Sequence, residues 1–185
     1  MNEGNVVMNI KTCIAFIALV VGGGLAQASW ETYFTMENDT FLRRDDSDYT
    51  HGTKFEAVDR DMGIHYMISQ TMYAPPDLRK EHHVPGERPY AGMLIGGVGY
   101  EFFADPYSPW THYGELNFGM IGPAAMCKET QTMIHKLLDC RKPQGWDDQL
   151  HNEFVVNGQW WTKYNWYLND YVALVPKGGM AAGTI

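Results

Sequence analysis

Between Trp30 and Asn38 two kinds of residue alternate: Trp30, Thr32, Phe34 and Met36 fall on one side, Glu31, Tyr33, Thr35 and Glu37 on the other. A period of two sends successive side chains to opposite faces, so this stretch predicts a β-strand with two unlike faces. Comparable patterns run from about Gly52 to Asp59, Gly63 to Tyr73, Tyr90 to Phe103, Trp110 to Ile121, Leu150 to Lys163 and Trp166 to Val175. The pattern breaks once. From Gly122 to Asp139 the spacing is helical, with Gln131 and His135 at i, i+4 on one face, just after a Gly-Pro break that ends an aromatic strand. The expectation is therefore seven antiparallel strands and one short loop helix, an all-β chain whose helix is the seat of any chemistry.

Several of these strands reach ten residues or more, longer than the usual run of a soluble sheet and close to what a tilted membrane strand needs. Aromatic residues gather near their ends, at Trp30, Tyr73, Tyr90, Tyr100, Tyr107, Trp110, Trp160, Trp161, Trp166 and Tyr167. Girdles of this kind mark the two interfaces of an outer-membrane barrel. A soluble antiparallel sandwich with an aromatic core has the same periodicity, so strand length and export must decide between them.

Export is written into the N-terminus. Lys11 supplies a basic region, Ile14 to Val21 an apolar core, and Ala26-Gln27-Ala28 a small-x-small cleavage site. Residues 1–28 thus read as a signal peptide and 29–185 as the N-terminal part of a barrel domain. The apolar run is too short to span a bilayer as a helix.

The formal net charge is −8, and the leader carries one acid and one base, so its removal leaves that balance unchanged. An acidic chain of this kind excludes nucleic acid as a partner. Cys13 leaves with the leader, while Cys127 and Cys140 bracket the helix. A straight helix would hold them roughly 18–20 Å apart at 1.5 Å per residue, so a disulfide requires the loop to fold back. With no Cys-x-x-Cys pair, a zinc site is not expected.

Three loops stand out: a charged connection at 42–49, a long polar loop at 75–89 and the helical segment at 122–148. The turns at Arg60–Gly63 and Ala104–Pro109 are shorter. Alternating loops of a barrel emerge on opposite rims, with the long ones extracellular, so the three rich loops share one rim.

Short motifs then fall in order along the chain: Glu37-Asn38-Asp39, Asp48-Tyr49-Thr50-His51-Gly52, Gln70-Thr71-Met72-Tyr73-Ala74-Pro75, Glu87-Arg88-Pro89-Tyr90-Ala91-Gly92, the run from Ile121 through Glu129 and Gln131 to His135, and Gln144-Gly145-Trp146-Asp147-Asp148-Gln149-Leu150. Each is weak alone, but in this order and spacing, over residues 34 to 176, the series resembles the outer-membrane lipid A deacylase family, the LpxR-like proteins.

That resemblance implies a twelve-stranded outer-membrane barrel that hydrolyses an ester-linked acyl chain at the 3′ position of lipid A with calcium as cofactor. The site then lies between the barrel wall and a helix from an extracellular loop. His135 matches the histidine that activates water and Gln131 the glutamine of the same helix. Asn38 and Asp39 match the Asn-Asp pair of the first strand, and Thr50 the threonine after Asp-Tyr. Lys80 falls where the family has a loop lysine, with Arg79 as a rival. The family continues for further strands, whereas this sequence stops at Ile185; the seven expected strands would leave open edges.

The residues themselves suit the chemistry. Ester hydrolysis without a serine nucleophile needs a base near neutral pKa, which histidine supplies, and an electrophile, which a metal held by hard oxygens supplies. Asp39, Glu129 and the Asn38 and Gln131 amides offer such oxygens, and Lys80 and Arg88 suit lipid phosphates.

Ordinary uses exist for all of them. Asn38-Asp39 serves as a turn at a strand end, Glu129 as a first-turn carboxylate that complements the helix dipole, His135 as a surface histidine, and Arg88 as loop architecture. His65, His82, His83, His112 and His151 match no functional pattern. The competing functions are a non-catalytic outer-membrane porin or scaffold and a periplasmic module whose aromatic residues stack on sugars.

Overall fold

The computed structural model describes residues 30–38, 48–103, 108–137, 139 and 141–185. The expected leader, Asp39 and Cys140 lie outside the described residues. Among the described residues there are nine strands: β1 (Trp30–Asn38), β2 (Asp48–Asp59), β3 (Ile64–Ala74), β4 (Ala91–Phe103), β5 (Trp110–Ile121), β6 (Glu153–Tyr164), β7 (Trp166–Tyr167), β8 (Ala173–Leu174) and β9 (Lys177–Gly183). Seven of them form one sheet in the order β1-β2-β3-β4-β5-β6-β9, every neighbouring pair antiparallel. The sheet is open, with β1 and β9 at its edges.

The first six strands fall where the alternation predicts them. The seventh does not. The stretch from Trp166 to Val175 is no long strand; it is a small hairpin in which β7 pairs only with β8. The seventh strand of the sheet is β9, whose sequence Lys-Gly-Gly-Met-Ala-Ala-Gly carries no strand signature. Its small residues are required by contact. A Cβ on Gly179 would lie 2.3 Å from the Trp160 carbonyl oxygen and 2.5 Å from the Trp161 ring.

Register gives the sheet two chemically distinct faces. Phe34, Phe55, Ile68, Gly96, Phe118 and Val156 align across one, and Phe55, Ile68 and Phe118 are exposed on it. The opposite face carries Lys54, Glu56, His65, Glu101, Glu115, Gln159 and Lys163 around a cavity of 340 Å³. There Lys163 Nζ stands 3.4 Å from Glu101 and Lys54 Nζ 3.1 Å from Glu56. Apolar outside and polar inside is the arrangement of a membrane barrel wall, in which lipid meets one face and the lumen the other.

At one end the connections are short. Gly63 turns the chain at φ 69°, and its carbonyl accepts the Glu101 N–H at 2.7 Å. At the other end the loops between β3 and β4 and between β5 and β6 dock on each other: Gln144 N–H donates to the Leu78 carbonyl at 3.0 Å, and His83 N–H to Asp148 at 2.8 Å. Two of the three rich loops thus share one rim, and the ends of β1 and β2 that flank the third belong to it. A core of Met72, Ala74, Tyr90, Ala125, Cys127 and Trp146 ties this rim together, with Leu78 and Leu94 packed on it.

Candidate functional site

Helix α1 (Cys127–Leu137) is launched by a tight sequence of backbone turns. Gly122 sits at φ 95°, Pro123–Ala125 form a single 3-10 turn, and Met126 adopts a left-handed conformation at φ 57°. A Cβ on Gly122 would meet the His151 carbonyl at 2.5 Å, so glycine is required for both reasons. The helix base is pinned to β3: Gln70 Nε2 donates to the Ala125 carbonyl at 2.7 Å, and the Cys127 thiol to the Thr71 carbonyl at 3.5 Å.

The helix packs on the apolar face. Met72 and Gly92 are paired, and they share the parity of Ile68, Val98 and Tyr100 along β3 and β4. Cys127 and Ala125 fill the space above Gly92. The buried stripe of α1 begins at Cys127 and continues through Gln131, which is 3% exposed, toward half-buried His135 one turn later.

His135 is oriented by its own chain. Its Nδ1 lies 2.5 Å from the Arg141 carbonyl oxygen. A carbonyl only accepts, so Nδ1 carries the hydrogen; in the neutral ring this is the tautomer a general base needs, with the lone pair on Nε2.

Gln131 is fixed as well. Trp146, in the short 3-10 turn Gly145–Asp148, is 1% exposed, packs against Tyr90 with ring centroids 4.9 Å apart and planes tilted by 51°, and donates its indole N–H to Gln131 Oε1 at 2.6 Å. The amide nitrogen of Gln131 is buried with no hydrogen-bond partner. Lys128 and Asp147 add an ion pair between the same helix and turn. The bond from Lys128 holds the Asp147 carboxyl below its ordinary pKa.

Thr50 occupies a bulge. Tyr49 pairs with Tyr73 and His51 with Met72, so Thr50 is the extra residue between them, 4% exposed, and its hydroxyl has no partner. A bulge re-aims side chains in this manner. Asn38 pairs with His51, so Asn38, His51, Met72 and Gly92 stand in one row across β1 to β4. That row ends beneath the base of α1.

The remaining expected residues distribute unevenly. Lys80 is exposed, but its carbonyl lies 2.7 Å from where a Cβ on Gly145 would sit, which places it beside Trp146. Its rival Arg79 is engaged by both oxygens of Asp77, at 2.7 and 2.9 Å, and that bond holds Asp77 down to about 2. Arg88 stands over the ring of Tyr73 at 5.5 Å, and Tyr73 has the parity of the opposite sheet face, away from α1. Glu129 is exposed and lies about 200° round the helix from Gln131 at 100° per residue, which suits the dipole role and separates it from the buried stripe. Asp39 lies outside the described residues.

Cys127 is a free, buried thiol, pushed up to about 12 by burial. Among the described residues, no three His, Cys, Asp or Glu side chains cluster to hold a metal. Among the oxygens that the rim offers is the buried Thr50 hydroxyl, which has no partner. Trp146 was not among the site residues expected from sequence, although the Gln144 to Leu150 motif had marked it. His51, buried in the same row, was likewise passed over.

Comparison with known proteins places the fold. A family model described as outer membrane protein LpxR matches residues 10–185. Among solved structures, LpxR from Salmonella typhimurium matches with a TM-score of 0.66 and 23% sequence identity, over 75% of this chain and 49% of that one. The chain therefore spans about half the length of that structure, and the likeness shows a shared barrel-wall fold. No curated protein matches the chain.

Proposed function

Because the chain belongs to the LpxR family of outer membrane proteins, we propose that it is a lipid A deacylase, hydrolysing an ester-linked acyl chain at the 3′ position of lipid A. The observation that carries this reading is the Nδ1–H bond of His135 to the Arg141 carbonyl, which leaves Nε2 as a base on a helix laid against the apolar sheet face.

His135 Nε2 takes a proton from water as the oxygen attacks the ester carbonyl. The acyl C–O bond then breaks, and the same proton passes to the departing sugar oxygen. The products are a fatty acid and a free sugar hydroxyl. Gln131 holds the preceding turn of the helix, Lys80 on the docked loop meets a lipid A phosphate, and Thr50 lines the sheet side, with Asn38 in register across from His51. Calcium would be held by the carboxylate oxygens of Asp39, and when bound it would supply positive charge for a carbonyl oxygen that becomes anionic. Glu129 and Arg88 have no part in this assignment, given the faces on which they stand.

The test is fatty-acid release from lipid A by the membrane-inserted protein and its His135→Ala variant. Loss of a general base lowers the rate by about 10²–10⁴. Undiminished release by a correctly inserted variant excludes His135 as the base. No release from the unsubstituted protein favours a non-catalytic barrel.

A further inference from the structure

We propose that Trp146 is a positioning residue whose indole N–H orients the Gln131 amide so that its NH₂ is presented to the ester carbonyl as a hydrogen-bond donor. This rests on the deacylase reading and deepens it. An indole N–H only donates, so the atom it meets at 2.6 Å must be the Gln131 oxygen, and the amide cannot turn over without losing that bond. Its nitrogen is then the free end.

That nitrogen is buried and unpartnered, on a residue 3% exposed. Buried donors are normally satisfied, and an orphan beside a candidate base is the state expected before a ligand supplies the acceptor. Gln131 precedes His135 by one turn on the same helix face, within reach of one carbonyl group. A preorganised donor acts most strongly where negative charge develops, which here is the ester oxygen under attack. Trp146 is itself held from two sides: its ring lies on Tyr90, and Gly145 before it leaves no room for a side chain between Tyr90 and the Lys80 carbonyl.

The experiment is a double-mutant cycle on membrane-inserted protein, with fatty-acid release from lipid A as readout and heat-modifiable gel mobility as the check on barrel assembly. Trp146→Phe keeps a ring on Tyr90 and removes the N–H; kcat should fall about tenfold with KM unchanged. Gln131→Met should lower kcat about 10²-fold, the scale for a lost oxyanion donor. Adding Trp146→Phe to it should cost nothing more, because the indole acts through the amide. Gln131→Glu keeps the acceptor for Trp146 and removes the NH₂, so it should be as slow as Gln131→Met.

Additive losses in the double variant, or full kcat in Gln131→Glu, overturn the proposal. If Trp146→Phe does not assemble, Gln131→Glu decides alone. His135→Ala, run in parallel, separates this failure from that of the deacylase reading: an inactive His135→Ala beside a fully active Gln131→Glu rejects only the amide donor.

Discussion

Gly92 on β4 lies directly beneath Cys127 on α1. A Cβ added to Gly92 would stand 2.6 Å from the Cys127 Cβ and 2.7 Å from its sulfur. The helix that carries Gln131 and His135 rests on the sheet at a position where the sheet presents no side chain. Gly92→Val should therefore lift α1 from the wall at a cost of about 1–3 kcal/mol, typical of overpacking. Fatty-acid release should drop sharply while heat-modifiable mobility, which reports the barrel, stays normal. Wild-type release by Gly92→Val would show that the helix seat does not matter.

The Cys127 thiol should be nearly inert in the folded protein. Burial pushes it up to about 12, against about 8.5 for an unfolded cysteine, so its thiolate at pH 8 is about three orders of magnitude scarcer than in the unfolded chain. The sign follows from a raised folded value: the stabilisation is whole below about 8.5 and is lost as pH rises through 12. Iodoacetamide labelling of a Cys140→Ser variant, native against denatured, measures it. Equal rates would refute the buried seat.

The Gly145–Asp148 turn should loosen from α1 in acid. Asp147 is held below the ordinary carboxylate range by Lys128, so the contribution of the pair is present above about 3.9 and lost as pH falls through the lowered folded value. Both groups are accessible, so the effect is small and 1 M salt should suppress it. Trp146 fluorescence, taken as the difference from Trp146→Phe, should shift in that acid window, and Lys128→Met should abolish the shift.

Release of fatty acid should require calcium, stop in chelator, and return with calcium but not zinc, since the ligand proposed for it, Asp39, is a carboxylate. Asp39→Ala should raise the calcium midpoint. Glu129→Ala should leave it unchanged, because Glu129 lies on the far side of the helix from Gln131. A calcium titration of the two variants checks both.

The strands that could be read from sequence are those whose two faces meet different surroundings. In β1 to β6, lipid on one side and a polar interior on the other impose strict alternation, and the order of residues shows it. β9 escaped notice because its demand is for smallness: Gly179 fits against Trp160 and Trp161, and nothing in Lys-Gly-Gly-Met-Ala-Ala-Gly announces those rings, which lie in β6. The segment from Trp166 to Val175 misled because aromatic and β-branched residues also populate exposed hairpins. At the site, the i, i+4 spacing of Gln131 and His135 was visible along the chain. The contact from Trp146 was not, since it joins positions fifteen residues apart through a turn whose docking depends on Tyr90 and the Lys80 carbonyl. Glu129 was equally attractive by residue type; only its angle about the helix axis tells it from Gln131.

Seating α1 on the apolar side of the wall has a kinetic consequence. An active site in that position would be entered sideways, from within the leaflet, without passage along the polar face of the sheet. Encounter then becomes a two-dimensional search, governed by the mole fraction of substrate in the surrounding lipid rather than by its amount per volume of suspension. For a deacylase built this way, diluting lipid A with an inert amphiphile slows turnover at constant total substrate, whereas diluting the whole suspension with buffer leaves it unchanged.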